Sequence, residues 1–147
     1  MNQVELSAYI EVLIDKHRAI VWHPIAQDIA TRVLNELNVQ NREISELYSV
    51  CNGLSLKWLT ILPISDGTAT AFTSIQLANQ TESSPYLSGS AELLDRFLIF
   101  ADIGNGACAA IDRIDSSIWY QDGEDFRHAP ITILEFLRTC VRDLEAT

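Results

Sequence analysis

Residues 97–125 read FLIFADIGNGACAAIDRIDSSIWYQDGED. An apolar run, Phe97–Ala101, leads into Ile103-Gly104-Asn105-Gly106, and a second apolar run, Ala107–Asp112, leads out. Asn-Gly adopts the positive φ values that tight hairpins require, so the pair predicts a hairpin here. Arg113–Ser116 turns the chain, Ser117–Gln121 predicts a further strand, and Asp122-Gly123 turns it again. Strands joined by such short turns are antiparallel, because a parallel neighbour needs a crossover of a dozen residues or more.

Upstream, Leu54–Ile64 (LSLKWLTILPI) is rich in strand formers and alternates roughly by two, which predicts one strand. Thr68–Ala78 reads as a second strand or an irregular edge. Asn79–Ser90 is polar, with Pro85 and Gly89, and reads as a loop long enough that a short helical turn is expected in it or just after it. Before these strands the period is helical. Leu6, Tyr9, Ile10, Leu13 and Ile14 form one stripe, and Ile25, Ile29, Val33, Leu34 and Leu37 form a second over Pro24–Leu37. A third helix begins after Asn41, whose side chain is a good N-cap, and buries Ile44, Leu47, Tyr48 and Cys51. Asn52-Gly53 ends it, since glycine takes the left-handed conformation without a Cβ clash.

Downstream, Thr132 and Glu135 have capping-box spacing. Ile133, Phe136, Leu137, Cys140, Val141 and Leu144 then make a continuous apolar stripe on a closing helix. Helices, a run of strands and a last helix predict an α+β fold: a curved, mostly antiparallel sheet flanked by N-terminal helices and a closing C-terminal helix. Residues 1–147 read as a single domain, with 1–23 a helical extension and 24–147 the α+β core.

Of the 147 residues 20% are charged and 48% hydrophobic, a composition that supports a packed core rather than a disordered chain. The net charge is −10, which argues against a phosphate-tracking nucleic-acid binder and against a polybasic membrane-surface protein. No apolar run approaches the ~18 residues of a membrane helix, and the N-terminus lacks a signal-peptide pattern, so a cytoplasmic location is expected. Cys51, Cys108 and Cys140 are odd in number and lie in apolar runs, as buried reduced thiols do.

Few residues suggest catalysis. His17, His23 and His128 are not at ligand spacing, and neither H-E-x-x-H nor C-x-x-C occurs, so neither metal nor cofactor is expected. Cys108 with His128 and an aspartate would make a nucleophilic constellation. Yet Cys108 lies between Ala107 and Ala109 in a strand, where a thiol is a small core residue and a poor nucleophile. Gly104 and Gly106 are explained by the hairpin turn. A hydrolase using aspartates and a divalent metal is the rival from another class, and no ligand spacing supports it.

The acidic residues carry more information. Residues 1–60 hold 5 basic and 7 acidic groups, and residues 61–147 hold 5 basic and 13 acidic. Asp102, Asp112, Asp115, Asp122, Glu124 and Asp125 fall within one stretch with only Arg113 against them. Aspartates at turns usually bond their own backbone, and an acidic surface also serves solubility. Concentrated charge of one sign nonetheless steers a basic partner. Trp119 and Tyr120 interleave with these carboxylates on opposite faces of a strand, so one is expected in the core and the other as an interface anchor.

The pattern resembles the SUKH superfamily domain, named partly for a yeast cell-wall assembly regulator. The resemblance rests on IATRVLNELNVQNREISELYSVCNGLS (29–55), the apolar LKWLTILPI (56–64), DRFLIFADIGNGACAAIDRIDSSIWYQDGEDF (95–126) and ITILEFLRTCV (131–141). In the third block Phe100-Ala101-Asp102, Gly104-Asn105-Gly106 and Asp112 follow the family's central hairpin. The resemblance spans about residues 25–145. It departs from the family in two places: a proline usually precedes the second helix where this chain has Val39-Gln40-Asn41, and the helix at residues 1–20 precedes the family pattern. The resemblance implies a curved sheet with flanking helices and no catalytic residues. Many bacterial members are immunity proteins that neutralise toxins, often nucleases, and others are intracellular regulators or scaffolds. The expected function is therefore a non-enzymatic immunity protein that binds a cognate toxin, a basic nuclease domain, without contacting nucleic acid or membrane itself. The alternative is a regulatory or scaffold domain with a non-toxin partner. A homo-oligomer is left open. The expected partner-binding residues are Asp102, Asp112, Asp115, Trp119, Tyr120, Asp122, Glu124 and Asp125.

Overall fold

The computed structural model describes residues 3–39, 41–67, 73–129 and 131–145. The helices are α1 (Gln3–His17), α2 (Gln27–Glu36), α3 (Arg42–Val50), α4 (Ile75–Ala78), α5 (Ala91–Arg96) and α6 (Ile133–Glu145), with a 3₁₀ turn at Leu87–Gly89. The strands are β1 (Ile20–Val21), β2 (Leu54–Leu56), β3 (Leu59–Ile61), β4 (Phe97–Gly104), β5 (Ala107–Asp112), β6 (Ile118–Asp122) and β7 (Asp125–Ala129). They form one antiparallel sheet in the order β1-β2-β3-β4-β5-β6-β7, so each strand pairs with its neighbours in the chain. The α+β class expected from the sequence is the class observed.

Residues 54–64 fold differently from the single strand expected. Lys57-Trp58 turns the chain, with Lys57 at φ +51°, and Leu56 pairs with Leu59. Burial explains the reversal. Leu54 and Leu56 are even-numbered, Leu59 and Ile61 odd, and all four are buried. A straight strand would send the two pairs to opposite faces, whereas a two-residue turn puts them on the same one. The region expected as a strand or edge at 68–78 lies outside the described residues over 68–72. Its described part is the helix α4, where Ser74 caps the N–H of Leu77. The loop at 79–90 does contain the short helical turn at Leu87–Gly89.

Gly53 is required where it stands. Its φ is +91°, and a Cβ there would lie 2.4 Å from the carbonyl oxygen of Ile61. Beside it, Asn52 brackets Ile64, donating to its carbonyl and accepting from its N–H, both at 2.9 Å. The helix C-terminus is thereby tied to the end of β3 through a backbone approach that only glycine allows.

Asn41 caps α3 as its sequence suggests, accepting from the N–H groups of Glu43 and Ile44. At α6 half of the capping box is present: Thr132 Oγ1 accepts from the N–H of Glu135 at 3.1 Å. The exposed N–H of Ile133 is met from elsewhere, by Glu43 Oε2 on α3 at 2.8 Å. Seven residues of α6 are buried, and Phe136 meets Phe100 of β4 edge-on at 5.6 Å between ring centroids. Helix α1 buries Leu6, Ile10 and Leu13 in the same core as the sheet.

Candidate functional site

The register of β4 to β7 assigns every candidate residue a face and an end. Ile118 pairs with Ala129, Tyr120 with Arg127 and Asp122 with Asp125, so Tyr120, Asp122, Asp125 and Arg127 share one face. Trp119 pairs with His128 and Gln121 with Phe126, which puts Trp119, Phe126 and His128 on the other. Trp119 and Tyr120 do point to opposite faces. Neither is fully buried, and both are half-buried.

The six carboxylates divide between the two ends of the strands. Asp112 and Asp115 lie at the β5–β6 turn. Asp102 lies near the β4–β5 turn, on the same side of the sheet as the β6–β7 turn that carries Asp122, Glu124 and Asp125. Their surroundings differ as sharply. Asp112 is 1% exposed, and one oxygen accepts from Arg96 Nε at 3.1 Å and Nη2 at 3.0 Å. Its other oxygen accepts from the N–H of Ile114 at 2.8 Å, so its charge is engaged within the chain. Asp102 accepts from the Gly104 N–H and from the Tyr86 hydroxyl, both at 2.8 Å. Burial, and then that bond to a carboxylate, holds the Tyr86 hydroxyl well above the usual phenol range. Asp115 is exposed and accepts from the Ser117 hydroxyl and N–H, which hold its carboxyl below the usual range.

Asp122, Glu124 and Asp125 are exposed. Arg127 Nε lies 3.0 Å from Asp122, and its Nη2 lies 3.4 Å from Asp125. One arginine therefore faces three carboxylates at this turn, and the balance stays negative.

On the opposite face Trp119 belongs to an aromatic cluster. Its ring lies 5.5 Å from Phe97, 5.8 Å from Phe126 and 5.0 Å from His128, centroid to centroid. Phe97 and Phe126 meet edge-on at 4.8 Å. The Arg96 guanidinium that pairs with Asp112 lies 5.0 Å over Phe97 and 5.9 Å from Trp119. The indole N–H donates to Ser117 at 3.0 Å. Trp119 is thus fixed on both its apolar body and its polar tip, which leaves Tyr120 as the aromatic beside the acidic turn.

Cys108 is buried, and burial pushes its thiol up to about 12. His128 is level with Ala110, two strands from β5, and Cys108 is two residues further along. Strand spacings put the two backbones roughly 12 Å apart, too far for a nucleophile and its base. Among the described residues no three of His, Cys, Asp and Glu converge as a metal-holding group.

Arg96 and Arg127 also belong to this part of the sheet and do not stand out in the sequence, whereas Phe97 and His128 are visible there but their contacts with Trp119 are not. The signal was the alternation of Asp125-Phe126-Arg127-His128-Ala129, which is too polar to read as a strand by hydrophobicity. Among the described residues no helix is long and apolar enough to cross a membrane. Comparisons with protein-family models, curated proteins and solved structures found no match.

Proposed function

We propose that this chain is a SUKH-type protein-binding domain that neutralises a toxin, a basic nuclease domain, by stoichiometric binding rather than by catalysis. The observation that carries the reading is the β6–β7 turn, where Asp122, Glu124 and Asp125 are exposed against the single Arg127. A nuclease cleft is basic because it receives phosphate, and an exposed carboxylate cluster complements it. Tyr120, half-buried on the face of Asp122 and Arg127, supplies an anchor that is held by the sheet. Asp115 adds charge from the other end of the strands, while Asp112 and Asp102 hold the fold in place. The α+β architecture is of the class the resemblance implies.

Exposed charges act mainly on the rate of encounter. Asp122→Lys combined with Glu124→Lys is expected to slow association with the basic domain about tenfold at low salt and to flatten its salt dependence. The partner to use is the product of the adjacent gene, co-expressed and captured with this chain, with rescue of growth as the second readout. Unchanged association after both reversals would remove the turn from the interface.

A further inference from the structure

The seventh strand ends the sheet, and its outer edge faces no other strand among the described residues. We propose that this edge pairs with itself: two copies of the chain join antiparallel through Asp125–Ala129, about a two-fold axis at Arg127. The two sheets then become one continuous sheet.

Backbone geometry selects the register. Gly123-Glu124 form a two-residue turn closed by the pair Asp122 and Asp125. The closing pair of such a hairpin is hydrogen-bonded, and antiparallel pairs alternate between bonded and non-bonded. Arg127 and Ala129 therefore bond inward to β6, while Phe126 and His128 direct their N–H and C=O groups outward. Centred on Arg127, antiparallel pairing sets Phe126 opposite His128 of the second copy, and His128 opposite its Phe126. The residues with free outward groups meet each other at both positions.

The side chains fit the same register. A charged residue usually keeps an edge strand from pairing. Here Asp125 and Arg127 share a face, and each Arg127 has Asp125 of the second copy as its diagonal neighbour. The two arginines face each other directly across the axis, a like-charge pair that is unfavourable alone, and the four aspartates around them, Asp122 and Asp125 of each chain, offset it. On the other face the row of Phe97, Trp119, Phe126 and His128 runs up to the open edge. A second copy extends that row across the axis by stacking His128 against Phe126 twice.

The dimer goes beyond the toxin-binding reading and does not depend on it, since its contacts are backbone groups of β7, two symmetry-related Arg127–Asp125 pairs and two His128–Phe126 stacks. The contact is small, so affinity on the order of micromolar or weaker is expected. Sedimentation equilibrium of the full chain should show the mass rising from 16.4 kDa toward twice that value as concentration rises from about 1 µM to about 1 mM. Amide exchange at Phe126 and His128 should slow over the same range, while Arg127, already bonded to β6, should not change. Arg127→Asp should weaken the dimer at least tenfold, and adding Asp125→Arg in the same chain should restore it. A monomer at every concentration overturns the proposal. So does a dimer in which exchange at Phe126 and His128 is independent of concentration, or one that Arg127→Asp leaves intact.

Discussion

Single residues set the chemical limits of this molecule. The three thiols are all buried, and burial raises Cys51 to about 11 and Cys108 and Cys140 to about 12. An unfolded thiol ionises near its ordinary value of about 8.5. Above that pH the unfolded chain loses protons that the folded chain keeps, so the thiols' contribution to stability is level below about pH 8.5 and falls above it until the folded values are passed. Urea unfolding at pH 8 and pH 10 should show this loss, and Cys108→Ala should make it smaller; an identical loss in the variant would place its origin elsewhere. The residues also show what could be read in advance. The charge of the 97–125 segment was visible in the sequence, and so was the burial of Cys108. The partners of those charges were not. Arg96 reaches Asp112, and Tyr86 reaches Asp102, each across sixteen residues. The pairing of β4 with β5 brings Arg96 to Asp112, and the 79–90 loop brings Tyr86 to Asp102.

Elements were legible where one periodicity was undisturbed. Helices α3 and α6 announced themselves by stripe and cap, and β4 and β5 by the Asn105-Gly106 turn. The hairpin of β2 and β3 was hidden because its turn is Lys57-Trp58, without the Gly, Asn or Asp that marks most such turns. Helix α4 was hidden because four residues are too few for a stripe. The start of α6 shows a third reason. Thr132 and Glu135 predicted a local box, yet Glu43 of α3 supplies the acceptor for Ile133. This single carboxylate sits in the first turn of one helix and caps another, so both helix dipoles favour it. Glu43→Ala is expected to cost about 1–2 kcal/mol, more than an ordinary exposed glutamate, by chemical denaturation. A cost indistinguishable from that of Glu11→Ala, on the exposed side of α1, would show that the bond contributes nothing.

At the scale of the whole molecule, α1 belongs to the common core. Leu6 and Leu13 are fully buried, and the two-residue β1 that follows α1 pairs with β2. Leu13→Ala should therefore destabilise the entire chain by about 2–5 kcal/mol in one cooperative transition. A separate early transition, with the sheet unfolding as in the parent chain, would instead mark the helix as an appendage. The strand order carries a kinetic consequence. Each strand lies beside the one made just before it, so ring closures during assembly are short except across 22–53, between β1 and β2, and across 62–96, between β3 and β4. Closing a loop costs conformational entropy that grows with its length, and local pairing speeds folding. The β4–β7 half is therefore placed to condense first, and the joins of β1 to β2 and of β3 to β4 to be sewn last.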